Sequence, residues 1–178
     1  GAATGARFAK SAAKRLFRIN LANTLTLLNG VAGFASIVAS MNMRFVEASV
    51  LILVGVVLDW LDGKAARLFD EESALGGELD SLSDLVTFGV APAALVAAIA
   101  PSMLSWIAGG LFVLSAALRL GRFNVEGYKG TFVGVPTTTN GILLPALVLW
   151  GAPLIVYPWY LLGMAFLMNA PLRVKKPF

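Results

Sequence analysis

The sequence predicts an all-α polytopic membrane protein with six transmembrane helices and an N-terminal interfacial amphipathic helix. Composition is the first reason: 58% of the 178 residues are hydrophobic and 13% charged, where a soluble domain carries about 25% charged residues. Patterning is the second. Six apolar stretches, at about residues 25–41, 45–69, 79–100, 103–123, 132–150 and 154–170, each approach the ~20 residues that cross about 30 Å of hydrocarbon. Breakers fall between them at Asn42, Gly76 with Gly77, Pro101, Gly127 with Gly130, and Pro153. The expected organisation is a basic interfacial segment over 1–22, a six-helix domain over 23–171 and a basic tail over 172–178.

Ahead of the first span, Arg7, Lys10, Lys14, Arg15 and Arg18 alternate with Phe8, Leu16, Phe17 and Leu21. That pattern suits a helix lying on anionic membrane lipids, and equally a basic flank that only enforces topology. No signal-peptide pattern precedes the first long helix, so insertion is expected to come from the spans themselves. An even number of spans puts both termini on one side. Of the 14 Lys and Arg residues only Arg44 falls on the other, so the positive-inside rule makes the termini cytoplasmic, in what we expect to be a prokaryotic cell membrane. Little chain remains outside the spans to build a nucleic-acid surface, and none is expected. The absence of cysteine and histidine removes disulfides, thiolate or imidazole metal ligands, and mechanisms that use either residue as nucleophile.

The second and third spans carry the informative residues. Placing a carboxylate near a helix centre costs roughly 2.5 to 3.5 kcal/mol, so Asp59, Asp62, Asp80 and Asp84 must face protein, water or metal. At ~100° per residue Asp59 and Asp62 share a helix face that Ala66 continues and Gly63 flanks. Asp80 and Asp84 are spaced i,i+4, with Gly76 one turn earlier. Two adjacent antiparallel helices would bring all four into one pocket. An all-oxygen set suits two divalent cations, Mg²⁺ or Mn²⁺ with Ca²⁺ as a further candidate. Small residues at Gly63, Ala66, Gly76 and Gly77 admit a ligand, and Arg67 and Lys64 add positive charge, which together suit a pyrophosphate. The competing interpretation is ordinary helix packing by Gly and Ala, with an aspartate paired to a lysine.

Asp59, Asp62, Gly63, Ala66, Arg67, Gly76, Asp80 and Asp84 fit the pattern DxxDGxxAR, eight residues, then GxxxDxxxD. By this pattern the chain resembles the CDP-alcohol phosphotransferase family. The resemblance implies transfer of a phosphatidyl or archaetidyl group from a CDP-diacylglycerol-type lipid to a small alcohol, with release of CMP. It implies metal ligands at Asp59, Asp62, Asp80 and Asp84, with Asp84 also the catalytic base. Gly63, Ala66, Arg67 and Gly76 would line the CDP site, and a homodimer is implied too. The runs SLSDLVTFGVAPA, ALRLGRFNV, FVGVPTTTNGI and TLLNGVAG are similar to the phosphatidylserine synthase branch, which implies L-serine as acceptor and puts Asn29 near the nucleotide.

Serine needs its carboxylate and ammonium recognised. Arg119 and Arg122, three residues apart on the fourth span, are the candidates for the carboxylate, the alternative being topology anchors that snorkel to headgroups. Asn124, Thr137, Thr138, Thr139 and Asn140 are candidate polar partners, with ordinary hydrogen bonding between helices the favoured alternative for each alone. Competing functions are transfer to another alcohol, such as inositol phosphate or glycerol phosphate, and ion or proton transport.

Overall fold

Helix α1 (Leu21–Met41) buries its small and polar face, Asn23, Thr26, Asn29, Gly33 and Ser36 among others. Its large apolar side chains, Leu27, Leu28, Val31, Phe34 and Val38, point outward. That is the reverse of a helix on a water-soluble core and fits one surrounded by lipid, where helices meet through small and hydrogen-bonding residues. A turn through Met43, at φ 60°, reverses the chain into α2 (Phe45–Leu68). The hairpin is tied near the turn by Ser36 Oγ, which donates to the Ala48 carbonyl at 2.8 Å, and Arg44 Nε pairs with Glu47 at 2.8 Å. The computed structural model describes residues 21–69, 73–126, 131–170 and 173–175. The expected interfacial segment therefore lies outside the described residues, apart from its last two positions, which begin α1.

Helix α3 (Ala74–Asp84) opens on Ser73, whose Oγ accepts from the Gly76 N–H at 3.0 Å, a standard N-terminal cap. It begins five residues before the stretch predicted from hydropathy. After Asp84 the rod widens into a π-helical turn, Leu85–Val90, and returns to α-helix as α4 (Ala91–Ile99). The cause is visible downstream. Pro92 has no N–H to give and its ring crowds the carbonyl one turn earlier, and Ala91 N–H reaches five residues back to Val86 O. Helix α5 (Met103–Glu126) follows a turn capped by Ser102, whose Oγ accepts from Ser105 N–H at 3.2 Å.

The fifth expected span, 132–150, is not one helix. Strand β1 (Thr131–Val133) leads through Gly134, at φ 76°, and Pro136 into a 3₁₀ turn, Thr137–Thr139, and only then into α6 (Asn140–Leu149). Gly134 is held in place because a Cβ there would fall 2.1 Å from the Met168 carbonyl. The sixth becomes α7 (Val156–Asn169), and β2 (Arg173–Lys175) pairs antiparallel with β1. The two three-residue strands are a small departure from the all-α expectation. Among the described residues, three helical rods suffice by length and composition to cross a membrane: α1, 74–99 and 103–125. Helix α2 is as long but carries Glu47, Asp59, Asp62, Lys64 and Arg67; α6 and α7, at 10 and 14 residues, fall short of the ~20 expected.

Phe88, Phe112, Ile52, Leu95, Leu144, Leu161 and Met168 are fully buried at the centre. Thr87, in the π-helical turn, wedges between α1 and α2: a Cβ on Gly33 would lie 2.7 Å from Thr87 Cα, and one on Gly55 would lie 2.4 Å from its methyl carbon. Glycine at both positions is what lets the three helices meet. This junction sits one turn beyond Asp84 and fixes where that carboxylate points.

Candidate functional site

Asp59 and Asp62 on α2 and Asp80 on α3 each present a carboxylate oxygen to one point, all within 4.8 Å of one another. The helices that carry them are not packed side by side as the sequence suggested. Each packs far more extensively on α1 than on the other, so the first span is the frame that brings the carboxylates together. It also supplies a donor: Thr26 Oγ1 gives a 2.7 Å hydrogen bond to Asp62 Oδ2. Among the described residues none of the four aspartates forms an ion pair with Lys or Arg. Lys64 instead lies over the Trp60 ring, 3.7 Å from its centre, which removes the lysine pairing as an explanation of the acids.

Asp84, like Asp62, is almost fully buried. Asn29 Nδ2 donates to its Oδ1 at 3.1 Å, and Asp59, Asp80 and Asp62 are all near enough for their charges to act on it. Three or four carboxylates without a cationic partner repel one another unless protons or cations intervene. The donor set is all oxygen, which fits hard divalent ions rather than zinc.

Beside the carboxylates lies a pocket of about 240 Å³. Its wall comes from Ala22, Asn23 and Thr26 of α1, from Asp59, Asp62, Gly63 and Ala66 of α2, and from Ser73, Gly76, Gly77 and Asp80. Gly63, Ala66 and Gly76, expected to line a nucleotide site, therefore do line the pocket. Gly76 is needed there because a Cβ would press on Asn23 Oδ1 at 3.0 Å and Ser73 Oγ at 3.1 Å. Arg67 stands exposed at the rim, its guanidinium 3.8 Å from where a Gly63 Cβ would be. Asn29 does not reach the pocket. It is wholly buried, and its amide lies against Asp84.

The expected acceptor residues divide. Arg119 is partly buried; its Nη1 donates to Thr137 Oγ1 at 3.3 Å, and its buried Nε has no partner among the described residues. Arg122, one turn on, is exposed. Asn124 is already occupied: its Oδ1 accepts from Ser81 Oγ at 2.9 Å and its Nδ2 donates to Glu78 at 3.2 Å, so it clips α5 to α3. Asn140 is likewise engaged, accepting from Tyr160 OH at 3.0 Å and donating to the Thr137 carbonyl at 3.2 Å. Thr138 and Thr139 are partly buried on the same turn.

Sequence reasoning missed Asn23, Thr26, Ser73 and Thr87. A signal was present for the first two: Asn23, Thr26 and Asn29 recur at intervals of three on α1, a polar stripe that an apolar span has no reason to carry.

Comparison with known proteins gives the family. The family model described as CDP-alcohol phosphatidyltransferase matches residues 19–170. The chain is 43% identical over 140 residues to the CDP-diacylglycerol–serine O-phosphatidyltransferase of Saccharomyces cerevisiae, covering 68% of this chain and 51% of that protein. It is 37% identical over 138 residues to the archaetidylserine synthase of Methanothermobacter thermautotrophicus, covering 75% and 59% respectively. With the Bacillus subtilis CDP-diacylglycerol–serine O-phosphatidyltransferase it shares 39% identity over 125 residues, covering 67% and 70%. The chain thus spans about half the length of the yeast relative. On the match over 19–170 and the convergent aspartates of its motif, the chain belongs to the CDP-alcohol phosphatidyltransferase family.

Proposed function

We propose that the chain transfers a phosphatidyl or archaetidyl group from a CDP-diacylglycerol-type lipid to L-serine in phospholipid biosynthesis, releasing CMP. The observation that carries this reading is the convergence of Asp59, Asp62 and Asp80 beside a glycine-lined pocket in a chain of this family. Relatives whose names specify serine support the acceptor.

Two divalent cations, Mg²⁺ or Mn²⁺ with Ca²⁺ as a further candidate, would be held by Asp59, Asp62 and Asp80, with Asp84 joining them. Bound there, they would offset the charge of the pyrophosphate and of the departing CMP. The chain does the rest. Gly63, Ala66 and Gly76 leave room for the nucleotide, and Arg67 adds positive charge at the rim. Arg119 has an unused donor for the serine carboxylate, whereas the exposed Arg122 acts as an anchor at the membrane surface. Asp84 takes the proton of the serine hydroxyl as serine Oγ bonds to the lipid-bearing phosphorus. The bond from that phosphorus to the bridging oxygen breaks, CMP leaves with the electron pair, and the proton passes to solvent. This is a single displacement, without a covalent enzyme intermediate.

The proposal extends to placement in the membrane. Six crossings are made by α1, α2, the 74–99 rod, α5 and the shorter α6 and α7, within a domain over 23–171 flanked by basic segments. The pocket and both termini face the cytoplasm of a prokaryotic cell, since Arg44 stands alone among the cations at the far end. The protein acts as a homodimer. A transport function would need a polar route past Asp84, where Phe88, Leu95 and Phe112 are packed without solvent exposure.

The test is CMP release by purified protein in detergent with CDP-diacylglycerol and Mn²⁺ or Mg²⁺, with and without L-serine. Serine-dependent release that chelation abolishes is the expected outcome. Release dependent on another alcohol would discard serine, and no release with any acceptor would discard the transferase reading.

A further inference from the structure

We propose that Asn29 is a positioning residue for Asp84, holding one carboxylate oxygen so that the other is the one free to meet the acceptor or a cation. The inference rests on the reading of Asp84 as proton acceptor. Two bonds join α1 to the same turn of the 74–99 rod: Asn29 Nδ2 donates to Asp84 Oδ1 at 3.1 Å, and Thr87 Oγ1 donates to the Asn29 backbone carbonyl at 2.8 Å. Thr87 is in turn wedged against Gly33 and Gly55. The side chain that touches Asp84 and the backbone that carries it are therefore both fixed by the α1 junction.

The orientation of the amide strengthens the point. Asn29 is wholly buried and its Oδ1 has no partner among the described residues, an arrangement that is unfavourable for a buried acceptor. A residue kept for helix packing alone would be replaced without loss by an apolar side chain of the same size. An amide that leaves its own acceptor unpaired and gives its donor to a nearly buried carboxylate is placed for that donation. A carboxylate with one oxygen so engaged has its plane and its remaining lone pairs set before substrate arrives, which is what a proton acceptor in a single displacement needs.

The experiment compares wild type with Asn29→Leu, close in size but without a donor, and Asn29→Ala. CMP release is measured at varied CDP-diacylglycerol and serine, and Mn²⁺ binding by titration without substrate. The expected result is a kcat at least tenfold lower in both variants, with both KM values and Mn²⁺ affinity within threefold of wild type. Asn169→Leu is the control. It removes an amide that donates to the Ser115 carbonyl at 3.1 Å away from the carboxylates, and should keep kcat within threefold. A kcat within threefold of wild type in both Asn29 variants overturns the inference, as does parallel loss of Mn²⁺ binding and turnover in both. A wild-type protein that binds Mn²⁺ yet releases no CMP overturns the transferase reading and this inference with it.

Discussion

Substituting Gly33 by alanine tests the junction that aims Asp84. The new Cβ would sit 2.7 Å from Thr87 Cα and 2.4 Å from Thr87 Oγ1, where carbon atoms are comfortable at about 3.5 to 4.0 Å. Backbone cannot rotate away as a side chain can, so α1 and the π-helical turn must part by about 1 Å. Overpacking of this kind costs roughly 1 to 3 kcal/mol, and a displacement of about 1 Å near a reacting group can lower turnover by ~10²-fold. Gly33→Ala should therefore reduce kcat for CMP release by about two orders of magnitude while Mn²⁺ binding persists. Two companions calibrate the result. A Cβ on Gly30 would meet Ser83 Oγ at 3.2 Å, a hydroxyl that can turn aside, and one on Gly110 would meet nothing within 4 Å. The expected order of damage is Gly33, then Gly30, then Gly110, read by steady-state CMP release and by thermal unfolding. Equal kcat values in Gly33→Ala and Gly110→Ala would refute the reasoning.

Thr26→Val removes the 2.7 Å donor to Asp62; loss of such an outer partner should weaken Mn²⁺ binding about 10- to 100-fold, measured by titration, and unchanged affinity would detach Thr26 from the site. Arg119→Ala should raise the serine KM by roughly 10- to 100-fold, as expected for a charged hydrogen bond worth about 1.5 to 3 kcal/mol, with CDP-diacylglycerol KM unchanged. Arg122→Ala should leave both within threefold, and equal effects of the two substitutions would count against Arg119 as the carboxylate contact. Asn124→Ala breaks the clip between α5 and α3 and should lower stability by about 1 kcal/mol with serine KM within twofold. A large rise in that KM would return Asn124 to the acceptor site.

The four aspartates were legible because charge in a membrane span is expensive and therefore conspicuous. Their glycine neighbours were legible by spacing. Asn29 was singled out by the resemblance of TLLNGVAG to the phosphatidylserine synthase branch, but a position on a helix gives a face and not a partner. Whether that face looks into a pocket or onto another side chain depends on how α1 meets the 74–99 rod. The π-helical turn was hidden for the same reason: Pro92 announces a disturbance in the helix, while its placement between Gly33 and Gly55 is a product of packing. The fifth span misled hydropathy because 132–150 is apolar enough throughout. Gly134 and Pro136 nevertheless divide it, and the Met168 carbonyl leaves no room at 134 for any side chain. Asn124 and Asn140 were candidates for the acceptor with hydrogen bonding between helices as the favoured alternative, and in the fold both are engaged in such bonds, with partners that no local pattern identifies.

Depth connects the separate pieces of the site. Asp59 and Asp62 lie nine and six residues before the end of α2 at Leu68, about 9 to 14 Å along the axis at ~1.5 Å per residue. Asp80 and Asp84 lie six and ten residues after the start of α3 at Ala74, about 9 to 15 Å in from the same end. Arg119, seven residues before Glu126 on α5, falls at about 10 Å. Helices of opposite direction thus bring their polar groups to one level, and headgroup regions occupy roughly 5 to 7 Å on each side of the hydrocarbon. A lipid pyrophosphate could reach that level with its chains still in the bilayer, and a water-soluble alcohol could reach it from the same end. Immediately beyond, Phe88, Leu95 and Phe112 close the interior. Asp84 is thus nearly buried one turn before Thr87 and Phe88, where water is scarce and a carboxylate held by one amide can keep its direction.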